Sequence, residues 1–173
     1  MKGKSDTGSN FLRRMKTIKH PSILQFKAGL ERDDTTVVTT ESAIPLRAWI
    51  QRDYNESQVV LGFSQILDAL QFLNEDCGLV HGNVTPNAIF VNAAGDFKLG
   101  GLELCSEYNC PGAVPNLWMT NPRFVPEKYQ DPERRSGRWK GGSTRFSSDV
   151  YSFAMILFYM LAGEPPWPEL DGM

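Results

Sequence analysis

The 173-residue chain is long enough to bury one core of ordinary size, and its 41% hydrophobic and 22% charged residues describe a globular rather than a disordered sequence. A net charge of −2 with no basic stripe argues against a nucleic-acid groove. The longest apolar run, Val150 to Ala162, is 13 residues and suits a buried helix better than a membrane span; with no apolar leader and an odd set of cysteines, a soluble cytoplasmic setting with reduced thiols is expected.

In chain order, residues 1–10 are polar and are expected to be a disordered lead-in. Phe11, Leu12, Met15 and Ile18 recur at helical spacing with basic residues on the other side, predicting an amphipathic helix that His20-Pro21 stops. Ile23–Gly29 and Thr35–Thr40 are strand-like around a charged turn, Glu31–Asp34, and Glu41–Pro45 reads as a linker. Leu46–Ile50 begins a helix. Asn55 with Gln58 resembles a capping box ahead of a longer one, Ser57–Asn74, where Val59, Val60, Phe63, Ile66, Leu67, Leu70 and Leu73 hold a helical period.

The polar stretch His81–Ala88 runs into IFV, a turn at Asn92–Gly95 and DFKLG, predicting a loop followed by a β-hairpin. From Cys105 to Pro122 the composition is that of a loop. Zinc at Cys105 and Cys110 would need two further ligands, and the histidines are distant in sequence, so no metal site is expected. Asp131–Thr144 carries Arg134, Arg135, Arg138 and Lys140 around Trp139; a solvated insertion is the preferred reading, a partner-binding loop the other. Ser147–Leu161 predicts a buried helix ended by Gly163 and Pro165-Pro166.

The stretch His81–Glu103 resembles the catalytic and metal-binding loops of the eukaryotic protein kinase fold, HRDLxxxN and DFG. His81 and Gly101, the latter standing at the DFG Asp, are 20 positions apart, and Pro86, Ile89 and Phe90 sit where such loops keep them. The resemblance implies an α+β kinase-like fold: a small-lobe remnant and hinge over residues 11–45, then a large-lobe part over 46–173 that stops after the αF helix. The chemistry is degenerate. The base position is Asn83, the first metal ligand Ala88 and the second Gly101, so a proton acceptor and both metal ligands are missing. Gly82 replaces the Arg of HRD, and Thr85 the Lys that follows in serine/threonine kinases. Phe11 stands where the αC Glu would be, and no glycine-rich loop or VAIK-type lysine precedes it.

The particular motifs, HPSIL at His20–Leu24, HGNV at His81–Val84 and KLGGLE at Lys98–Glu103, resemble those of the Scy-like, or N-terminal-kinase-like, pseudokinases. That resemblance implies a catalytically inactive scaffold with protein partners, coat or trafficking components among them, cytoplasmic and at most peripheral at Golgi or endoplasmic reticulum membranes, with neither nucleic acid nor a transmembrane segment. It also assigns His81 and Leu102 to a buried apolar stack with Met15 and Phe26, Glu127 to an APE-like turn without its Arg partner, and Asp149 to holding the HRD-like backbone. No cofactor is expected. The nearest thing to an adenine slot is Thr40, Glu41 and Phe90, and the nearest acids to the metal position are Asp96 and Glu103. The alternatives are a divergent serine/threonine kinase domain with residual ATP binding, and a fragment or short isoform without independent function, whose uncovered αF helix would leave the isolated chain marginally stable.

Overall fold

The computed structural model describes residues 6–33, 35–52, 54–107, 117–136 and 146–162. It opens with helix α1, Asp6–Thr17, so residues 6–10, expected as disordered lead-in, are helical. The polar DTGSN segment, Asp6–Asn10, has little helical propensity of its own. It is held by tertiary bonds, Ser9 to Glu31 and Asn10 to distant carbonyls. Leu12, Met15 and Ile18 are buried as the periodicity predicts, but so is Arg14, which the sequence placed on the outer face.

Strands β1, Phe26–Arg32, and β2, Thr35–Thr40, form an antiparallel hairpin with a bulge between Phe26 and Ala28. Before it, the His20 ring stacks on Phe72 at 4.7 Å, and His20 Nδ1 accepts a hydrogen bond from Ser22 N at 3.1 Å, fixing the turn made by the His-Pro pair. Residues Glu41–Pro45 are not a simple linker: Ala43–Pro45 is strand β3, paired antiparallel with β5, Ile89–Asn92, which pairs in turn with β6, Phe97–Leu99. Leu24 N donates to Leu99 O and Leu99 N to Ser22 O, so the HPSIL segment extends the same sheet.

Helix α2, Leu46–Trp49, leads to α3, Glu56–Gln71, whose capping box is present in full, Asn55 accepting from Gln58 N and Gln58 from Asn55 N. The packed stripe is narrower than the sequence period. Val59, Phe63, Ile66 and Leu70 are buried, whereas Val60 and Leu67 are exposed at 70% and 49%. Gly62 lets the Phe97 ring lie directly on the helix; a Cβ there would stand 2.5 Å from it. Phe97 also meets Trp49 and Phe63 edge-on at 5.1 and 5.9 Å, and Phe63 meets Phe153, so one aromatic chain ties α2, α3 and the hairpin to the last helix.

Past α3 the backbone loosens into a π-helical turn, Phe72–Asp76, and enters β4, Leu79–Val80, which pairs with β7, Ser106–Glu107. Two short helices, α4, Leu117–Thr120, and α5, Pro132–Arg135, and two 3₁₀ turns line the described part of the following segment; α6, Ser147–Ala162, is last. Met155 and Ile156 bury α6 against the core, while Val150, Phe158 and Leu161 are exposed. Cys110, Arg138, Trp139, Lys140, Gly163 and Pro165-Pro166 lie outside the described residues. No helix among the described residues is long and apolar enough to cross a membrane.

Candidate functional site

The site is the loop between β4 and β5. His81 is fully buried; its Nδ1 accepts from Asn83 N at 3.1 Å, which leaves the ring proton on Nε2 to donate to Gly100 O at 2.8 Å. The imidazole therefore works as a bracket between two backbone segments. Beneath it, Asp149 at the start of α6 accepts from His81 N through Oδ2 and from Gly82 N through Oδ1, both at 2.8 Å. Burial pushes the Asp149 carboxyl upward from its ordinary value, opposed by His81, the two backbone N–H bonds and Arg134.

The same helix end secures the segment after the APE-like turn. Ser148 Oγ donates to Asp131 Oδ2 at 2.6 Å, Asp131 caps α5 through Arg134 N, and Ser152 Oγ donates to Tyr129 O. Arg134, expected in a solvated insertion, instead donates from Nη1 to Gly82 O at 3.0 Å, and desolvation lowers its pKa. Two buried acids nearby, Asp131 and Asp149, draw the guanidinium inward, which composition could not show. Glu127 is exposed.

At the other end of the loop stand the three degenerate positions, and the fold does bring them together. Asn83, 7% exposed, donates from Nδ2 to Gly101 O and to Glu103 Oε2, both at 3.3 Å. Ala88 is buried. Gly101 has φ 68° and ψ 37°, and a Cβ there would lie 2.7 Å from the Ala88 methyl and 3.2 Å from Asn83 Nδ2. The left-handed backbone and the lack of room both favour glycine. Among the described residues, Glu103 is the acid bonded to one of these three, accepting from Asn83; Asp96 is at the hairpin turn, bonded to Asn92 and Gln65, which hold its pKa down.

Leu102 is fully buried in the core that holds Met15, with Phe26 packed against it. In the slot considered for adenine, Thr40 Oγ1 donates to Glu41 O, and Glu41 Oε1 accepts from Gln25 N at 2.8 Å. Glu41 lines a cavity of about 430 Å3 with Lys19, His20, Pro21 and Lys98, to which Thr40 and Phe90 do not contribute. Phe90 lies half-buried on β5, its ring filling the space above Gly100.

Two residues the sequence reading passed over complete the site. Asn10 Nδ2 reaches Glu103 O at 3.0 Å and Cys105 O at 2.9 Å; Arg14 donates from Nε to Cys105 O at 3.1 Å and from Nη2 to Glu107 Oε1 at 2.8 Å. Together they tie α1 to the backbone that follows Gly101. Cys105 lies behind this brace, wholly buried, its thiol pushed up to about 12 by desolvation, so it is an inert core group.

An apolar stack around a bracketing histidine, a buried Asp at the head of α6 and a loop-hairpin between them define a protein kinase fold whose metal-binding end carries no acid at its motif positions. The protein kinase domain family matches residues 4–173, and the chain belongs to it. It is similar to the probable inactive serine/threonine-protein kinase scy1 of Dictyostelium discoideum, 29% identical over 158 residues, 90% of this chain and 19% of that protein. It is also similar to the protein associating with the carboxyl-terminal domain of ezrin from Mus musculus, 29% identical over 86% of this chain and 20% of that one. A third relative is the serine/threonine-protein kinase CHK1 of Saccharomyces cerevisiae, 26% identical over 63% of this chain and 20% of that protein. The chain thus spans about a fifth of these relatives' length. The likeness to Scy1 proteins read from HPSIL, HGNV and KLGGLE is met by the comparison.

Proposed function

We propose that this chain is a catalytically inactive kinase-like module that serves as a protein-interaction scaffold. One observation carries the reading: the base and metal positions hold an amide, a methyl and a hydrogen, and the methyl of Ala88 already fills the space from which a carboxylate at 101 would extend. Phosphoryl transfer depends on positioned acids and metals for charge neutralisation, and Glu103 supplies a single carboxylate engaged with Asn83. ATP is accordingly no functional cofactor. The protein partners belong, on the kinship with Scy1 proteins, to coat and trafficking components, met in the cytoplasm at Golgi or endoplasmic reticulum surfaces. A relative named for associating with the carboxyl-terminal domain of ezrin supports protein partners for this chain.

The test is a phosphoryl-transfer assay of the chain with radiolabelled ATP, magnesium or manganese and a generic protein substrate, beside a thermal-shift titration with ATP and ADP. Label at the level of the no-enzyme control and a melting temperature that ignores nucleotide are expected, because a ligand of the native state raises the midpoint by mass action. Metal-dependent labelling that Glu103→Gln abolishes would overturn the reading.

A further inference from the structure

We propose that the cavity beside Glu41 is a binding site for a phosphate monoester carried on a polyol. It measures about 430 Å3 and lies between the end of α1, the His20-Pro21 turn, the residue that precedes β1, Glu41 and β6. It shares no residue with the base and metal positions, so the proposal stands apart from the scaffold reading. Two ammonium groups line it without a hydrogen-bonded carboxylate. The Lys98 side chain is only 12% exposed; its Nζ donates to Pro21 O at 2.6 Å and stands 3.7 Å from Asp96 Oδ2, beyond a hydrogen bond. Lys19 Nζ donates to Met15 O at 3.2 Å and lies 5.3 Å from the Phe26 ring. Neither pairs with Glu41, whose Oε1 accepts from Gln25 N. Among the described residues, these charges therefore line one space without neutralising one another.

An ammonium carries three N–H donors, and each of these lysines keeps at least one unused. His20 adds a fixed donor. Its Nδ1 accepts from Ser22 N, so the proton of the neutral ring is on Nε2, which has no partner among the described residues, and the stack on Phe72 holds the ring in place. Lys27, bonded to Gln25 Oε1 at 2.6 Å, brings a third positive charge next to the cavity. Two ammoniums and an imidazole N–H are the donors that the terminal oxygens of a phosphate accept, and a largely buried cation such as Lys98 gains most from a direct counter-charge. Glu41 selects the rest of the ligand. Its carboxylate repels a bare anion, while its second oxygen, without a partner among the described residues, accepts from a hydroxyl. Ile18 and Ile23, both buried, add an apolar floor. A polyol phosphate meets all three demands, and the volume holds the phosphate together with its carrier.

The experiment is isothermal titration calorimetry of the full chain at neutral pH with inositol monophosphate, inorganic phosphate and unphosphorylated inositol, beside sedimentation with phosphatidylcholine vesicles that contain or lack phosphatidylinositol monophosphate. Inositol monophosphate is expected to bind about tenfold or more tightly than inorganic phosphate, and inositol not at all, with affinity falling as salt rises. Lys98→Gln and Lys19→Gln should each weaken binding about tenfold. Lys19 is exposed, so an unchanged melting curve for Lys19→Gln separates lost binding from lost folding. Glu41→Gln, which keeps an acceptor for Gln25 N, should bind inorganic phosphate about threefold more tightly and narrow its gap from the inositol ester. Sedimentation with the phosphorylated lipid alone, competed by soluble inositol monophosphate, would identify a lipid headgroup as the source; soluble binding without sedimentation would identify a free polyol phosphate, and either supports the site. No binding of either phosphate, inositol monophosphate no tighter than inorganic phosphate, affinities indifferent to both lysine variants, or vesicle binding that the soluble ester does not compete would overturn the proposal.

Discussion

The two ends of the His81–Gly101 stretch have fared differently. At the Asp149 end, both carboxylate oxygens accept backbone N–H groups, the His81 ring bridges two segments, and Arg134 reaches the carbonyl of Gly82. At the Gly101 end the side chains have shrunk to an amide, a methyl and nothing. The difference separates what the fold needs from what the chemistry needs, because an unbonded buried N–H destabilises any protein, whereas a missing metal ligand affects only catalysis. Backbone strain shows the same division. Gly82 and Gly101 both sit at positive φ, 71° and 68°, where the motif would carry Arg and Asp. Backbone strain in a larger residue persists where function demands it, and here glycine has released it at both places.

The largest expected effect tests the anchored end. Asp149→Ala leaves two buried N–H groups of His81 and Gly82 without acceptors, and should destabilise the chain by about 3–5 kcal/mol, read as the urea midpoint or as loss of a cooperative melt. Asp149→Asn, which keeps one acceptor, should fall between. An Asp149→Ala protein as stable as the parent would erase the contrast between the two ends.

Restoring acids at the vacated end is the next step down. Gly101→Asp places a side chain at positive φ and 2.7 Å from Ala88, and should cost about 2–3 kcal/mol in a thermal melt. Adding Asn83→Asp and Ala88→Asn rebuilds the motif residues but not the space around them. The triple variant should stay inactive in the radiolabel assay. Its acquiring metal-dependent transfer would show that the backbone is still poised for catalysis, and would break the comparison from the other side.

How much of this was legible in the sequence depends on how far each interaction reaches. The Asn55–Gln58 capping box, the Ile89–Leu99 hairpin and the three degenerate positions were readable because each is fixed by residues close in the chain or at motif spacing. The bonds of Asn10, Arg14 and Arg134 were not: their acceptors are backbone carbonyls 95, 91 and 52 positions away. Backbone acceptors leave no residue-type signature. Arg14 therefore looked like the polar face of a helix, and Arg134 like a solvated loop. Likewise β3 could not be told from a linker, since its partner β5 lies beyond two intervening helices.

That unreadable brace yields a smaller effect. Asn10→Ala should destabilise by about 1–2 kcal/mol, and its sharper signature is local. Hydrogen exchange of the amides at Leu104–Glu107 should accelerate, while His81 and Gly82, held by Asp149, keep their protection. Uniform acceleration at both places would mean that the brace and the anchor open as one unit.

The smallest effect is electrostatic and has a definite sign. Glu107 has its pKa lowered from 4.5, chiefly by the hydrogen bond from Arg14 and against the desolvation of partial burial. A carboxyl whose folded pKa lies below its unfolded value stabilises the native state fully above the unfolded value, and loses that contribution as pH falls through the folded one. The Glu107 side chain is 64% exposed, so solvent screening keeps the contribution small. In thermal melts taken from neutral pH to below pH 4, Glu107→Gln should lie slightly under the parent at neutral pH and converge with it in acid, and in an Arg14→Leu background the gap should vanish throughout. A gap that persists in acid would mean that the Glu107 side chain contributes through something other than its charge, and that Asn10 and the guanidinium bond from Arg14 Nε to Cys105 O carry the brace without the ion pair.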